Sequence, residues 1–119
     1  MTGVEEYRCT VAVTLEVIGG KWKSLVLWHL RSKTLRFSQL QRRLARVTQK
    51  MLTQQLRDLE RDGLVHRQVY AEVPPRVEYS LTDLGRSVIP ILNLMCDWGH
   101  EFDRINGREQ TDEVRSCQR

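Results

Sequence analysis

RFSQLQRRLARVTQKMLTQQLRDLERDGLVHRQVYAEVPPRVEYSLT, residues 36–82, is the stretch whose reading decides the fold. Its apolar residues recur first at helical and then at strand spacing. Leu40, Leu44 and Val47 line one side of a helix entered through Arg36 and Phe37, with Ser38 as its expected cap and Gln41 completing a capping box. Thr48 is placed to cap a second helix running to about Asp62, with Leu52, Leu56 and Leu59 as its buried stripe. Gly63 should end it, and Leu64 stands where a Schellman closure packs back on Leu59. Two strand patterns follow, at about Val65–Glu72 and Arg76–Leu81. In the second, Val77, Tyr79 and Leu81 alternate with Arg76, Glu78 and Ser80. Pro74 and Pro75 fall between the runs, where a missing N–H costs no ladder bond.

With Leu52 at the centre of the buried face, Lys50, Thr53, Gln54, Arg57 and Arg61 fall on the opposite side of the second helix. Such side chains read base edges and hold phosphates. The acids Asp58, Glu60 and Asp62 lie toward its C-terminal half, and the helix dipole favours phosphate at the other end. From Arg36 to Arg67 eight basic residues stand against three acids, a net +5, leaving −1 for the rest of a chain whose total is +4. Charge concentrated on one element suits a polyanionic partner. A solvated helix face is the alternative reading. Arg76, beside the Pro-Pro tip, has two readings of equal weight: it reaches a phosphate or a minor groove, or it pairs with Glu72 or Glu78.

Outward from this stretch, Val11, Leu15 and Ile18 predict a helix over about Thr10–Ile18, broken by Gly19 and Gly20. A second, from about Lys21 to Arg31, is apolar on more than one side through Trp22, Leu25, Val26, Trp28 and Leu30, which places it in the core. A last helix is expected from a Thr82 cap to about Ile105, about 36 Å long and kinked at Pro90. Along it Leu84, Val88, Ile91, Met95, Trp98, Phe102 and Ile105 make a heptad-like seam. We read Val88, Ile91, Met95, Trp98 and Phe102 as a homodimer interface with Trp98 as anchor; the competing reading is that the seam covers the chain's own first helices.

At 119 residues the chain is expected to form one domain over 1–119, with the helix-turn-helix at about 36–63, a hairpin at about 64–81 and the last helix at about 82–105. The fold class is mainly α with a small β-hairpin. No apolar run is long enough to span a bilayer and no apolar signal segment follows Met1, so the cytoplasm is the expected location. Cys9, Cys96 and Cys117 are odd in number and far apart, which argues against a zinc site or a disulfide framework, and no cofactor is expected. GxGxxG, P-loop, HExxH and paired-carboxylate signatures are absent, and none of His29, His66 and His100 is near Cys9 in sequence, so an enzyme is not expected.

These residues resemble the HxlR family of bacterial transcriptional regulators, winged helix-turn-helix proteins related in architecture to the MarR group. The matching pieces are IGGKW at 18–22, RFSQL at 36–40, KMLTQQL at 50–56 with Leu59 and Glu60, DGL at 62–64, PPRVEYSLT at 74–82 with Leu84 and Gly85, and Trp98 with Gly99. Together they cover roughly residues 9–102. The resemblance implies a homodimer, paired through its N- and C-terminal helices, that binds double-stranded operator DNA with inverted-repeat symmetry, with repressor the better reading than activator. The DNA-facing set it implies is Arg36, Ser38, Arg42, Arg43, Thr48, Gln49, Lys50, Thr53, Gln54, Arg57 and Arg76, while Val77 and Tyr79 pack the wing onto the body. It also implies that Cys9, just before the first helix and preceded by Arg8, can sense oxidants or electrophiles; the other reading is a structural cysteine packed as a small apolar residue. Across a two-fold dimer Cys9 is a candidate to pair with Cys96 or Cys117, and a small-molecule inducer or a thiol modification would shift the spacing of the two reading helices. The other function class compatible with the residues is a winged-helix module that binds RNA or a protein partner without operator preference.

Overall fold

The computed structural model describes residues 9–107. In chain order its elements are α1 (Thr10–Ile18), α2 (Lys23–Leu30), β1 (Leu35–Arg36), α3 (Phe37–Arg43), α4 (Gln49–Arg61), β2 (Val65–Tyr70), β3 (Arg76–Leu81), α5 (Asp83–Ser87) and α6 (Ile89–Ile105). The sheet is antiparallel in the order β1-β3-β2. Val65 pairs with Leu81 and Tyr70 with Arg76 along the hairpin, and Leu35 pairs with Tyr79 and Arg36 with Glu78 on the other side of β3. Helices α3 and α4 with the flanking hairpin make a winged helix-turn-helix.

The core forms where α2, α3 and α4 meet. Val26, Leu27, Leu40, Leu52 and Leu59 are fully buried there, and Leu64, Val65, Tyr79 and Leu81 extend the core beneath the sheet. Burial runs without interruption from Val26 to Leu30, as expected of a helix that is apolar on more than one side. α6 adds only Leu92 and Cys96 as buried residues. Tyr79 is buried and Val77 packs against the core, so β3 fastens the wing to the body.

The termini of α4 follow local chemistry. Thr48 Oγ1 accepts a hydrogen bond from Met51 N at 3.1 Å. At the other end Leu64 N donates to Leu59 O at 2.9 Å and Gly63 N to Glu60 O at 3.0 Å, the two bonds of a Schellman closure. Gly63 has φ +84°, a conformation that costs glycine little. Between α3 and α4 the tight turn puts Ala45 at φ 49°.

Four expectations are corrected. α3 is capped at Arg36 rather than Ser38: Gln39 Oε1 accepts from Arg36 N at 2.8 Å. Arg36 is the last residue paired to β3, so the helix begins as soon as the chain leaves the sheet, and Gln41 lies too far along to close the box. α2 runs Lys23–Leu30, because a positive φ at Gly20 and the turn through Trp22 delay its start. β2 ends at Tyr70, short of Glu72. The helix expected over 82–105 is two helices meeting at Val88. Pro90 has no N–H, and within a continuous helix its ring would collide with the preceding turn, so it occupies the first turn of a new helix instead. α6 has 17 residues, about 25 Å rather than 36 Å. The Thr82 cap is as expected: its hydroxyl accepts from Gly85 N at 3.0 Å. It also donates to Gly63 O at 2.6 Å, tying the start of α5 to the end of α4.

Candidate nucleic-acid interface

α4 presents Gln49, Lys50, Gln54 and Arg57 as exposed side chains, with Thr53 half-buried among them. Its three buried leucines hold the opposite face against the core, so this stripe is fixed in direction as well as composition. No acid occupies the first turn of α4, and with Thr48 capping that end the helix dipole and the Lys50 ammonium both favour an anion there. Thr53 Oγ1 donates back to Gln49 O at 2.7 Å. Arg61, the last member of the stripe, is drawn toward Asp58 and Asp62 at 3.4 and 3.5 Å.

Arg36, Ser38, Arg42 and Arg43 are exposed around α3. Arg42 Nε donates to Ser38 O at 3.4 Å, which lays its guanidinium along the helix. Arg43 also acts inward: with Arg31 it adds positive potential at His29, whose pKa is lowered first by burial and then by these two charges. His29 is only 8% exposed, so the neutral imidazole is the stable form within the core.

At the wing, Arg76 takes the paired arrangement. Its Nη2 lies 3.2 Å from Glu72 Oε1, its Nε 3.6 Å from Glu78 Oε2, and its guanidinium 4.1 Å from the centre of the Tyr70 ring. The exposed part of the wing tip is therefore Val73, Pro74 and Pro75 rather than a cation.

Two features carry no sequence signal that periodicity could find. A cleft of about 290 Å³ lies between α4 and the sheet, lined by Thr53, Leu56, Arg57, Glu60, Arg67 and Tyr79. Arg67 pairs with Tyr79 across the hairpin, on the same face of β2 as Val65, and so joins Arg57 at one cleft. The second feature is the setting of Asp58. Its Oδ1 accepts from Gln54 Nε2 at 2.9 Å, and its Oδ2 lies 3.4 Å from Lys23 Nζ at the start of α2. The Lys23 and Asp58 side chains are 14% and 18% exposed. Donation by Gln54 foremost, with help from Lys23 and Arg61, holds the Asp58 carboxyl below its ordinary range against the opposing effect of burial.

A second surface lies away from this stripe. Ile91, Leu94, Met95, Trp98, Phe102 and Ile105 are all exposed on α6, with Trp98 at 68% and stacked on Phe102 at 5.3 Å between ring centroids. Val11 and Leu15 are exposed on α1 at 64% and 61%. Val88 differs from the rest of the expected interface, since it packs against the core of its own chain. Cys9 is exposed at the N-terminus of α1, Cys96 is buried at 5% exposure, and Cys117 lies outside the described residues. Among the described residues no cluster of three metal-ligating side chains occurs, and no helix is long and apolar enough to cross a membrane.

Comparison with known proteins gives this arrangement its context. A family model described as HxlR-like helix-turn-helix matches residues 17–106. An HTH-type transcriptional regulator of Methanothermobacter thermautotrophicus is 59% identical over 100 residues, covering 84% of this chain and 76% of the relative. Among solved structures, the HTH-type transcriptional regulator ytcD superposes with a TM-score of 0.78 at 50% identity, covering 82% of this chain and 99% of that one. The redox regulator HypR in its oxidised form superposes with a TM-score of 0.75 at 52% identity, covering 78% of this chain and 96% of that one.

Proposed function

We propose that this chain, which belongs to the HxlR-like helix-turn-helix family of transcriptional regulators, is a homodimeric repressor that binds an inverted-repeat operator. The observation that carries the reading is the α4 stripe: Gln49, Lys50, Thr53, Gln54 and Arg57 share one exposed face at the positive end of a helix anchored on a buried body. Thr48 at the cap lies beside the same end. Arg36, Ser38, Arg42 and Arg43 are placed to hold the flanking backbone. Arg76 can join them at the wing only by exchanging a carboxylate partner for a phosphate.

Pairing is supported by the exposed apolar residues of α1 and α6, an area that no other described segment of the chain covers. A dyad through it would present two α4 helices to successive major grooves, about 34 Å apart. A small chain whose distinctive surfaces are a DNA face and a pairing face regulates most simply by occupying promoter DNA.

Cys9 is the thiol we assign to an oxidant response. Its exposure at a helix N-terminus and the likeness to the redox regulator HypR support this reading. Cys96 is packed in the core and is not placed to be attacked without local opening.

The test is a binding titration on DNA upstream of the protein's own gene. Saturable preference over random DNA at moderate salt is expected, and its absence would refute the proposal in favour of an interaction module. Arg57→Ala should weaken operator binding about tenfold. Lys50→Ala should reduce the slope of log affinity against log salt by about 0.9. Comparing wild type with Cys9→Ser, with and without a thiol oxidant, isolates the redox arm: equal responses would make Cys9 structural.

A further inference from the structure

We propose that Asp58 sets the base preference of Gln54, fixing its side-chain amide so that α4 favours adenine over guanine at one position of each half-site. The inference rests on the DNA-binding reading above and names a residue that acts through another rather than by touching DNA.

An amide side chain presents a different code depending on which way it faces. With its oxygen toward one atom of a base edge and its nitrogen toward the next, glutamine matches the N6 amino group and N7 acceptor of adenine. Against guanine the same orientation sets the amide oxygen against O6, two acceptors in conflict. An amide free to turn over can instead offer its NH2 group to O6. A glutamine on an exposed helix therefore discriminates between purines only as well as its orientation is held.

Asp58 holds it. An ionised carboxylate accepts and cannot donate, so only the Nε2 end of Gln54 can face it, and the observed bond is Nε2 to Oδ1 at 2.9 Å. One amide N–H is used, leaving the oxygen and the second N–H for a base edge. Asp58 is itself anchored from outside the helix. Lys23 Nζ lies 3.4 Å from Oδ2, and both side chains are largely withdrawn from solvent. Arg61 Nη1 lies 3.4 Å from Oδ1 on the same helix. α2 thus reaches past the core to fix a side chain on the reading face of α4. Lys23 is committed to this role and is not a spare cation for phosphate.

The experiment measures affinity for operator duplexes carrying each base pair at each half-site position, for wild type, Gln54→Ala, Asp58→Asn and Lys23→Met. Wild type should prefer adenine at one position, and Gln54→Ala should erase that preference. Asp58→Asn should cut the adenine-over-guanine ratio there by about fivefold or more, because asparagine can donate as well as accept and no longer dictates which end of the amide faces it. The profile elsewhere should stay unchanged. Lys23→Met, which keeps the carboxylate but removes its anchor, should lower the same ratio by less. A wild-type profile in Asp58→Asn, or a uniform loss at every position, overturns the inference while leaving DNA binding intact; absence of any preference in wild type overturns both. A measurement on the unmodified protein guards against a variant that fails to fold. An NMR coupling from Gln54 Nε2 to the Asp58 carboxyl carbon should be detectable, and a freely rotating, rapidly exchanging Gln54 amide would contradict the proposal.

Discussion

Residues 36–82 and the two flanking helices α1 and α6 expose their surfaces for opposite reasons. In the first region the leucine faces of α3 and α4 have found their cover, and what remains outside is mostly polar and basic, with Met51, Val69 and Val73 as the apolar exceptions. In the second, α6 buries only Leu92 and Cys96 and leaves Trp98, Phe102 and four aliphatic side chains uncovered. The first surface is finished by the chain itself, because its direction is set by leucines already buried against α2 and α3. The second is finished only by something else. An exposed cation costs nothing in water, whereas a contiguous apolar face is a standing drive toward association. On the proposed function, one chain therefore carries a reading face that is complete in the monomer and a pairing face that is not.

The largest expected effect breaks the finished region from within. Gly85 packs so closely that an added Cβ would lie 2.1 Å from the Leu64 carbonyl oxygen. Gly85→Ala must push α5 off the end of α4, and we expect a loss of roughly 3 kcal/mol in urea unfolding. A loss under about 1 kcal/mol would mean that the junction yields easily and that the body is not the rigid frame described. Next in size is the flank. Trp98→Ala should raise the dimer dissociation constant about 30-fold in sedimentation analysis, roughly 2 kcal/mol of association, without loss of monomer folding. An unchanged dimer would move the pairing surface elsewhere. Smaller again is the cap: Thr48→Ala should cost about 1 kcal/mol of stability by leaving Met51 N without its 3.1 Å acceptor. That variant should weaken DNA binding without altering the dimer, since the cap lies on the reading face alone.

The same contrast explains what the sequence made legible. The end of α4 at Gly63 and Leu64 was readable because both bonds of the closure are made within six residues and one of those residues must tolerate positive φ. The α4 stripe was readable because a strong period of leucines leaves its opposite face no choice. β1 was not readable, since two residues have no period, and its presence is what moved the α3 cap from Ser38 to Arg36. The seam from Leu84 to Ile105 was half readable: its spacing survives within α6, but Pro90 starts a new helix and turns Val88 inward. The paired state of Arg76 was one of two readings that composition could not separate. The Lys23–Asp58 pair was out of reach altogether, because side chains that meet across two helices leave no mark in the spacing of either.

The smallest expected effect tests whether the basic face and the core beneath it are independent. His29 is buried in α2, and its pKa is lowered by desolvation, then by Arg43 and Arg31. The unfolded chain, with an ordinary imidazole near 6.5, binds this proton more readily than the folded one. Stability from this group is therefore complete above pH 6.5 and is lost progressively as the pH falls from there toward the lowered folded value. Urea unfolding between pH 7.5 and 5 should show wild type losing more stability than His29→Gln, which cannot charge. Arg43→Ala should narrow that difference, since it removes one of the two charges that disfavour imidazolium. If the two proteins fall in parallel, the potential of the exposed Arg43 does not reach the core. If Arg43→Ala narrows the gap, the charge gathered for an anionic partner is also felt inside the body, and neutralising it with bound DNA should ease the acid sensitivity in the same direction.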